Sequence, residues 1–274
     1  MEGIGSLGII AGRGDLPRRI AESCRDRGRP YHVVALDGFS QEWVGSHPHS
    51  RASILAIGRI IGSLRDTGCE QVVMAGGVDR PKFDALALDR KALSWLPRLV
   101  PATRKGDDAL LRTVRTLFEE EGFRVVGTDE LLDLTASEGV IGNVRPGDAH
   151  LHDIVRAEAI LSTLAPLDVG QACVVAEGRV LGIETIQGTD ALLHFVARTR
   201  TLSQTDRGGV LVKRAKVGQD RRIDAPTIGE ATIQAAAEAG LDGIAVEARA
   251  VQIVDPEAVT SAADRAGLFL WARP

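Results

Sequence analysis

The sequence predicts an α/β protein with a Rossmann-like, parallel-sheet N-terminal domain and a second α/β domain that contains a mixed sheet. Three observations support this prediction. Continuous apolar runs alternate with segments of helical periodicity, glycine turns directly follow two of the apolar runs, and residues 128–150 interrupt the alternation. Buried parallel strands are typically continuous apolar runs, and the connections between them are usually helices.

The N-terminal half consists of successive strand–helix units. Its first apolar run ends in a glycine turn, a helical pattern follows, and a second apolar run completes a βαβ unit. This alternation predicts a doubly wound parallel sheet over residues 1 to about 130. The predicted strands are 7–11, 32–36, 71–75 and 124–127, and the predicted helices are 17–27, 57–67 and 107–121.

A change of pattern predicts the domain boundary. Glu138-Gly139, Gly142-Asn143 and Pro146-Gly147 break the periodicity within a segment of mixed charge. We therefore predict a first domain over residues 1–135, a linker or crossover over 136–150, and a second domain over 151–274.

The C-terminal half combines helices with an antiparallel element. The dipeptide Glu177-Gly178 separates two apolar runs and is typical of a tight hairpin, which a purely parallel sheet does not contain. A mixed sheet is therefore expected. The predicted strands are 171–176, 179–183, 210–212, 243–246 and 251–254, and the predicted helices are 152–164, 228–239 and 256–266.

Composition restricts the class of protein. The 274 residues are 44% hydrophobic with a formal net charge of −4, which is typical of a globular chain and gives no electrostatic reason for nucleic-acid binding. The three cysteines form no CxxC pair, and we see neither a signal peptide nor a membrane span. These features predict a cytoplasmic protein, and they leave peripheral contact with a membrane surface open.

The first glycine turn is a candidate ligand loop. It lies at a strand-to-helix junction, where glycines allow close approach of the backbone and helix N–H groups favour phosphate. A tight turn without a ligand is the alternative, and Asp15 either contacts a ribose or base or caps the helix. The candidate substrate-binding residues are Gly12, Arg13, Gly14, Asp15, Leu16 and Pro17.

A second glycine turn follows the strand over residues 71–75. Parallel sheets bind ligands at the carboxyl ends of their strands, so two turns placed there predict one shared ligand cleft. Each turn taken alone is weak evidence. The candidate substrate-binding residues of the second turn are Gly76, Gly77, Asp79 and Arg80.

The most informative segment follows the apolar run Val210–Val212. A short strand there leads into a loop that combines cations and carboxylates and is closed by Pro226 and Gly229. Such a loop is a common way to build a site for a phosphorylated ligand, and the alternative is a solvated charged hairpin. The charged and polar residues of this loop are Lys213, Lys216, Gln219, Asp220, Arg221, Arg222 and Asp224.

Gly188-Thr189-Asp190 precedes an apolar, helix-like run. Thr189 or Asp190 either caps this helix or offers a hydroxyl and a carboxylate to a metal ion or a phosphate.

These segments, taken in order, resemble one bacterial family. The chain is similar to the UDP-2,3-diacylglucosamine pyrophosphatases of lipid A biosynthesis, of the type unrelated to the calcineurin-like metallophosphoesterases. The resemblance covers nearly the whole chain, and its most specific parts lie in the C-terminal half. Those parts are Asp168-Val169-Gly170-Gln171, Gly188-Thr189-Asp190, Lys213, Gly218-Gln219-Asp220, and Asp224 with Pro226-Thr227-Ile228-Gly229.

The resemblance implies hydrolysis of a lipid-linked nucleotide sugar, UDP-2,3-diacylglucosamine, to UMP and 2,3-diacylglucosamine 1-phosphate (lipid X). It implies Mg²⁺ or Mn²⁺ as cofactor, with attack of water on the phosphate nearer the sugar. Three residues depart from the family pattern, namely Gln187, Val217 and Ala225.

Roles for individual residues follow from this resemblance. Pyrophosphate hydrolysis requires neutralised phosphate charge and a positioned water, and carboxylates suit a hard divalent cation. The expected catalytic residues are Asp220, Asp224 and Lys213. The expected metal ligands are Asp190, Asp220 and Asp224, and Thr189, Lys216 and Gln219 are expected to bind the substrate.

Two alternatives stay open at this stage. One is a non-catalytic nucleotide-sugar-binding protein on a Rossmann-like scaffold. The other is a nucleotide-sugar oxidoreductase, which is disfavoured because Pro17 stands where the dinucleotide-binding fingerprint has its third glycine, and because Asp37 is only a weak candidate for the ribose-binding acid. A homodimer and peripheral contact with the inner membrane are likewise left open.

Overall fold

The computed structural model describes residues 5–39, 42–78, 87–200, 208–216, 220, 222–223 and 225–274. The chain divides into two compact units. Unit 1 comprises residues 1–133 together with 220–224, and unit 2 comprises residues 134–219 and 225–274. Residues of the charged loop after Val212 are therefore distributed over both units.

Unit 1 contains a five-stranded, fully parallel sheet, which confirms the predicted doubly wound arrangement. The spatial order is β3-β2-β1-β4-β5, so the first strand is central and the strand order reverses beside it. The elements are β1 (Leu7–Ala11), α1 (Leu16–Asp26), β2 (Tyr31–Leu36), β3 (His49–Ala52), α2 (Ile57–Asp66), β4 (Gln71–Ala75), α3 (Arg90–Thr103), α4 (Asp107–Glu120) and β5 (Arg124–Val125).

Both faces of this sheet are covered, because successive residues of a strand point to opposite faces. Ile9 of β1 packs in the core that contains Ile20 of α1. Its neighbour Ile10 packs on the other side, in the core that contains Ile60 of α2 and Trp95 of α3. The continuous apolar runs seen in the sequence are explained by this burial on two faces.

Unit 2 contains a six-stranded mixed sheet, as predicted, in the order β6-β13-β11-β9-β7-β8. Its three central strands are parallel to one another, and β6 and β7 run antiparallel to their inner neighbours. The elements are β6 (Gly139–Ile141), α5 (Asp148–Leu164), β7 (Ala172–Ala176), β8 (Arg179–Ile183), α6 (Gly188–Thr199), β9 (Val210–Lys213), β10 (Thr227–Ile228), α7 (Glu230–Glu238), β11 (Gly243–Glu247), β12 (Gln252–Ile253), α8 (Pro256–Ala266) and β13 (Phe269–Arg273).

The predicted hairpin joins β7 and β8. Glu177 and Gly178 both have positive φ, 51° and 71°, as a two-residue hairpin turn of the favoured hand requires. The buried carboxylate of Asp153 accepts hydrogen bonds from both backbone N–H groups, at 3.0 Å from Glu177 and 2.6 Å from Gly178. Helix α5 thereby fixes the turn.

Several predicted boundaries in unit 2 differ from the structure. The helix predicted to begin at Ile228 begins at Glu230, because Thr227 and Ile228 pair in parallel with Gln252 and Ile253. The segment 136–150, predicted as a crossover, contains strand β6 and the first residues of α5. Strand β13 at the end of the chain was not predicted.

Cys24, Cys69 and Cys173 are free and buried. Burial raises the pKa of the Cys173 thiol to about 11.

Within the part of the chain that the structure describes, no helix is both long enough and apolar enough to cross a membrane.

A candidate active site at the carboxyl edge of the second sheet

Strands β8 and β9 end at the same edge of the sheet in unit 2, because both run antiparallel to β7 between them. Lys213 is the last residue of β9, and Glu184 directly follows β8. Gln171 precedes β7 and lies at this edge as well. Strand geometry therefore places a cation, a carboxylate and an amide at the carboxyl edge of the parallel strands, where α/β proteins commonly bind ligands.

A chain of hydrogen bonds connects these groups. The Nζ of Lys213 donates to Thr189 Oγ1 at 2.8 Å and to the Thr227 carbonyl at 2.9 Å. Thr189 Oγ1 donates in turn to Glu184 Oε1 at 3.0 Å, and the other carboxylate oxygen accepts from the Gln171 N–H at 3.1 Å. We call Lys213, Thr189 and Glu184 the lysine cluster.

Burial makes the lysine cluster unusual. Its three side chains belong to residues that are 6–8% exposed, and charged groups are rarely buried so far unless they are paired. The negative charge of Glu184 compensates the positive charge of the Lys213 ammonium, and the hydroxyl of Thr189 bridges the two groups. The side-chain Oε1 of the adjacent Gln171 is buried without a hydrogen-bond partner among the described residues. Buried acceptors without a hydrogen-bond partner are rare in folded proteins, so this oxygen calls for an explanation other than packing.

Of the lysine cluster, Lys213 and Thr189 are candidate site residues in the sequence analysis, but Glu184 is not. The available signal was an acid directly after a strand, in the sequence Gly182-Ile183-Glu184. An acid at this position indicates a site only when the pairing order shows that β8 and β9 end at the same edge of the sheet.

The N-terminus of helix α6 lies in the lysine cluster, since Thr189 is its second residue. The N-cap position is occupied by Gln187, so neither Thr189 nor Asp190 is the N-cap residue. Gln187 itself makes no side-chain capping hydrogen bond. Asp190 is exposed in the first turn. The N-terminus of a helix beside a buried ammonium favours an anionic ligand.

The segment after β9 is anchored to the same edge. Lys216 forms an ion pair with Asp168, which has a left-handed backbone conformation with φ 53°. The N–H of Arg214 donates to the Gln171 carbonyl at 2.9 Å. Lys216 is thus held by the Asp168–Gln171 stretch on which the family resemblance partly rests.

Asp220 is placed in unit 1. Its carboxylate accepts two hydrogen bonds from the Arg222 guanidinium, both at 2.9 Å, and forms an ion pair with Arg115 Nε at 3.1 Å. The hydrogen bonds from the Arg222 side chain hold the pKa of the Asp220 carboxyl below its usual range, with Arg115 adding to the effect. The carboxylate is thus engaged by two cations.

Asp220→Asn should lower the free energy of unfolding at pH 7 by about 1.5–3 kcal/mol, the usual contribution of a hydrogen bond to a charged group. A depressed pKa in the folded state stabilises the fold above the unfolded-state pKa of about 3.9, and this stabilisation is lost as the pH falls. The difference between wild type and variant should therefore shrink below about pH 4. Urea unfolding at both pH values measures it, with Asp133→Asn, an exposed acid of the same unit, as control. An equal difference at both pH values would refute the ion-pair interpretation.

The two glycine turns of unit 1 meet at the carboxyl ends of β1 and β4. Arg13 and Gly77 exchange backbone hydrogen bonds of 2.8 and 3.0 Å. A Cβ on Gly76, which has φ +87°, would lie 2.3 Å from the Arg13 carbonyl oxygen, and one on Gly12 would lie 2.6 Å from the Gly77 carbonyl oxygen. The two turns lie so close together that neither Gly12 nor Gly76 could be replaced by a residue with a side chain. The turns are therefore neighbours, as predicted.

Other residues of the first turn have local roles. Asp15 occupies the N-cap position of α1 without a side-chain cap and pairs with Arg18 at 2.7 Å. Leu16 packs against the core and Pro17 is buried in the first turn of α1. The guanidinium of Arg13 lies 5.3 Å from the centre of the Phe39 ring, and Gly14 has φ +91° with open space around it.

Four predicted site residues lie outside the described residues, namely Asp79, Arg80, Gln219 and Asp224. Within the described ranges, no group of three histidine, cysteine, aspartate or glutamate side chains could hold a metal ion. The expected ligands Asp190 and Asp220 therefore form no metal site by themselves.

Comparisons with known families cover almost the whole chain. Residues 6–134 match the model of the LpxI N-terminal domain, and residues 137–271 match that of the LpxI C-terminal domain. The UDP-2,3-diacylglucosamine pyrophosphatase LpxI of Caulobacter vibrioides is 44% identical over 271 residues, with 96% of each chain covered.

Two of the solved structures that this chain matches are remote from it in sequence and in structure. CobK precorrin-6A reductase is 14% identical with a TM-score of 0.32, covering 97% of this chain and 98% of that one. N5-carboxyaminoimidazole synthase from Aspergillus clavatus is 13% identical with a TM-score of 0.24, covering 71% of this chain and 43% of that one. TM-scores this low do not indicate a shared fold.

Proposed function

The chain belongs to the LpxI family, and from this membership we propose that it hydrolyses the pyrophosphate bond of UDP-2,3-diacylglucosamine. The products would be UMP and 2,3-diacylglucosamine 1-phosphate, as a step of lipid A biosynthesis. The observation that carries the proposal is the 44% identity to a UDP-2,3-diacylglucosamine pyrophosphatase over 96% of both chains.

The lysine cluster supports a role in binding the diphosphate. Hydrolysis of a pyrophosphate requires positive charge near the non-bridging oxygens, and a buried ammonium acts strongly because water does not screen it. Lys213 would supply this charge together with the N–H groups at the start of α6. Thr189 and Glu184 would hold the ammonium in position. Lys216 is assigned to the same diphosphate.

We further propose a requirement for Mg²⁺ or Mn²⁺. A divalent cation would neutralise phosphate charge and activate a water molecule. The described residues do not supply a complete site, since Asp220 is engaged by Arg222 and Arg115. The proposal therefore depends on Asp224, with Asp190 as a further candidate ligand, and Asp220 would bind the metal only by giving up its ion pairs with Arg222 and Arg115.

EDTA should abolish turnover, and added Mg²⁺ or Mn²⁺ should restore it, because oxygen ligands in proteins select hard divalent cations. The measurement is the initial rate of UMP release before and after chelation. Calcium-loaded EDTA serves as a control for effects of the chelator itself. Full activity in excess chelator would remove the metal from the proposal.

Release of UMP from UDP-2,3-diacylglucosamine tests the proposed function. UDP-N-acetylglucosamine, which has the nucleotide but lacks the two long acyl chains, is the matched control and should be turned over far more slowly. Binding without UMP release would favour a nucleotide-sugar-binding protein. Substrate-dependent reduction of a nicotinamide cofactor would favour an oxidoreductase.

A further inference from the structure

Helix α3 of unit 1 is apolar on its outward face as well as on its core face. Its inward residues Ala92 and Trp95 are buried in the core of the unit. Leu93 and Val100, seven positions apart and therefore on one side of a helix, are 51% and 44% exposed. Pro97 lies between them on the same side and is also exposed. Solvent-facing sides of surface helices are ordinarily polar.

The charged residues of helix α3 and of the two positions after it are all cations. Residues 90–105 contain five cations and no acidic residue. Lys91 pairs with Glu121 and Arg98 with Glu120, the C-cap and the last residue of α4. Arg90, Arg104 and Lys105 are exposed and form no ion pair with any described residue. At 100° per residue, Arg90 and Arg104 lie on the outward side with Leu93 and Val100.

We propose that the outward face of α3 binds the surface of an anionic lipid bilayer. A helix that combines exposed apolar side chains with unpaired cations on one face has the composition of an interfacial membrane helix. Its 14 residues span about 21 Å, with cations near both ends and apolar residues between them. Each cation near an anionic surface contributes attraction, and the apolar side chains enter the boundary between head groups and acyl chains.

Charge complementarity decides between a bilayer and a second copy of this chain. In a symmetric dimer the same patch faces itself, so the cations of both copies would be brought together. An anionic bilayer instead compensates them. The choice of a bilayer also rests on the proposed function, because a substrate with two acyl chains resides in a membrane.

Binding to vesicles tests this proposal without any turnover. The full-length protein should float with vesicles of phosphatidylethanolamine and phosphatidylglycerol, and binding should weaken with added salt and on phosphatidylcholine vesicles. The variant Arg90→Gln/Arg104→Gln/Lys105→Gln should reduce the partition coefficient at least about tenfold, since each cation contributes on the order of fivefold. The variant Leu93→Ser/Val100→Ser should also reduce it at least about tenfold, because the apolar side chains that enter the bilayer are lost.

Val155→Ser/Arg156→Gln is the matched control, because it removes one exposed apolar side chain and one exposed cation from α5. It should bind like wild type. All substituted side chains are exposed, so melting temperatures should stay within a few degrees of wild type. Equal binding by all variants, no binding by wild type, or a dimer in light scattering that only the α3 variants dissociate would overturn the proposal. Failure of UMP release with intact vesicle binding would affect only the proposed function.

Discussion

Lys213→Met should lower kcat/KM for UDP-2,3-diacylglucosamine at least about 100-fold, a loss of about 2.7 kcal/mol of transition-state stabilisation. Methionine keeps most of the volume of the side chain and removes the charge. The buried ammonium would no longer neutralise the diphosphate, and Thr189 Oγ1 and the Thr227 carbonyl would lose their donor. The measurement is the rate of UMP release over a range of substrate concentrations.

Two further variants control this result. Lys91→Met removes a lysine that forms a surface ion pair with Glu121 and should keep full activity. Thr189→Val, which retains the shape of threonine without its hydroxyl, should reproduce part of the Lys213→Met loss, because Glu184 then no longer reaches the ammonium through Thr189. Near-normal turnover by folded Lys213→Met protein would show that the lysine cluster is structural.

Asp224→Asn is the second variant with a large expected effect. The substitution removes charge at nearly constant volume, so turnover should fall at least about 100-fold if Asp224 binds the metal or positions the water. Substrate binding should survive, because Lys213 and Lys216 retain their charges. The measurement combines single-turnover kinetics with a direct binding titration of UDP-2,3-diacylglucosamine.

Asp220→Asn is the matched comparison, since it makes the same substitution in the same loop. Asp220 is held by Arg222 and Arg115, and its loss should act mainly on stability. Near-wild-type turnover by Asp224→Asn with an unchanged melting temperature would contradict the assignment. The catalytic carboxylate would then have to be sought elsewhere, first at Asp220.

Elements with strong periodicity could be predicted from the sequence. Strands β1 and β4 have the predicted bounds, and so has helix α8, because continuous apolar runs and an apolar helical face are direct consequences of burial. The hairpin at Glu177-Gly178 is also confirmed, since both residues accept positive φ in that turn.

The missed elements lack such signals. Strand β3 has the sequence His-Ser-Arg-Ala and lies at the edge of its sheet, where backbone pairing with β2 rather than side-chain burial defines it. Helix α3 contains Pro97 and Pro101, which ordinarily argue against a helix interior. Its packing through Trp95 and Ala102 outweighs this local preference.

The sequence indicated which residues are candidates for the site more readily than how their side chains are arranged. Lys213 and Thr189 were identified because a cation and a hydroxyl in glycine-bounded motifs are typical of phosphate sites. Their hydrogen bond at 2.8 Å, and the buried carboxylate of Glu184 behind it, follow from the pairing order β9-β7-β8. Strand order is a long-range property that local periodicity does not contain.

Hydrolysis in H₂¹⁸O tests the central claim most directly. Purified protein is incubated with UDP-2,3-diacylglucosamine and Mg²⁺ or Mn²⁺, and both products are analysed by mass spectrometry. We expect UMP and 2,3-diacylglucosamine 1-phosphate in equal amounts, with one ¹⁸O atom in the sugar phosphate and none in UMP. Label in UMP would show attack at the other phosphorus. Intact substrate after incubation with folded, metal-supplied protein would contradict the proposed hydrolysis itself.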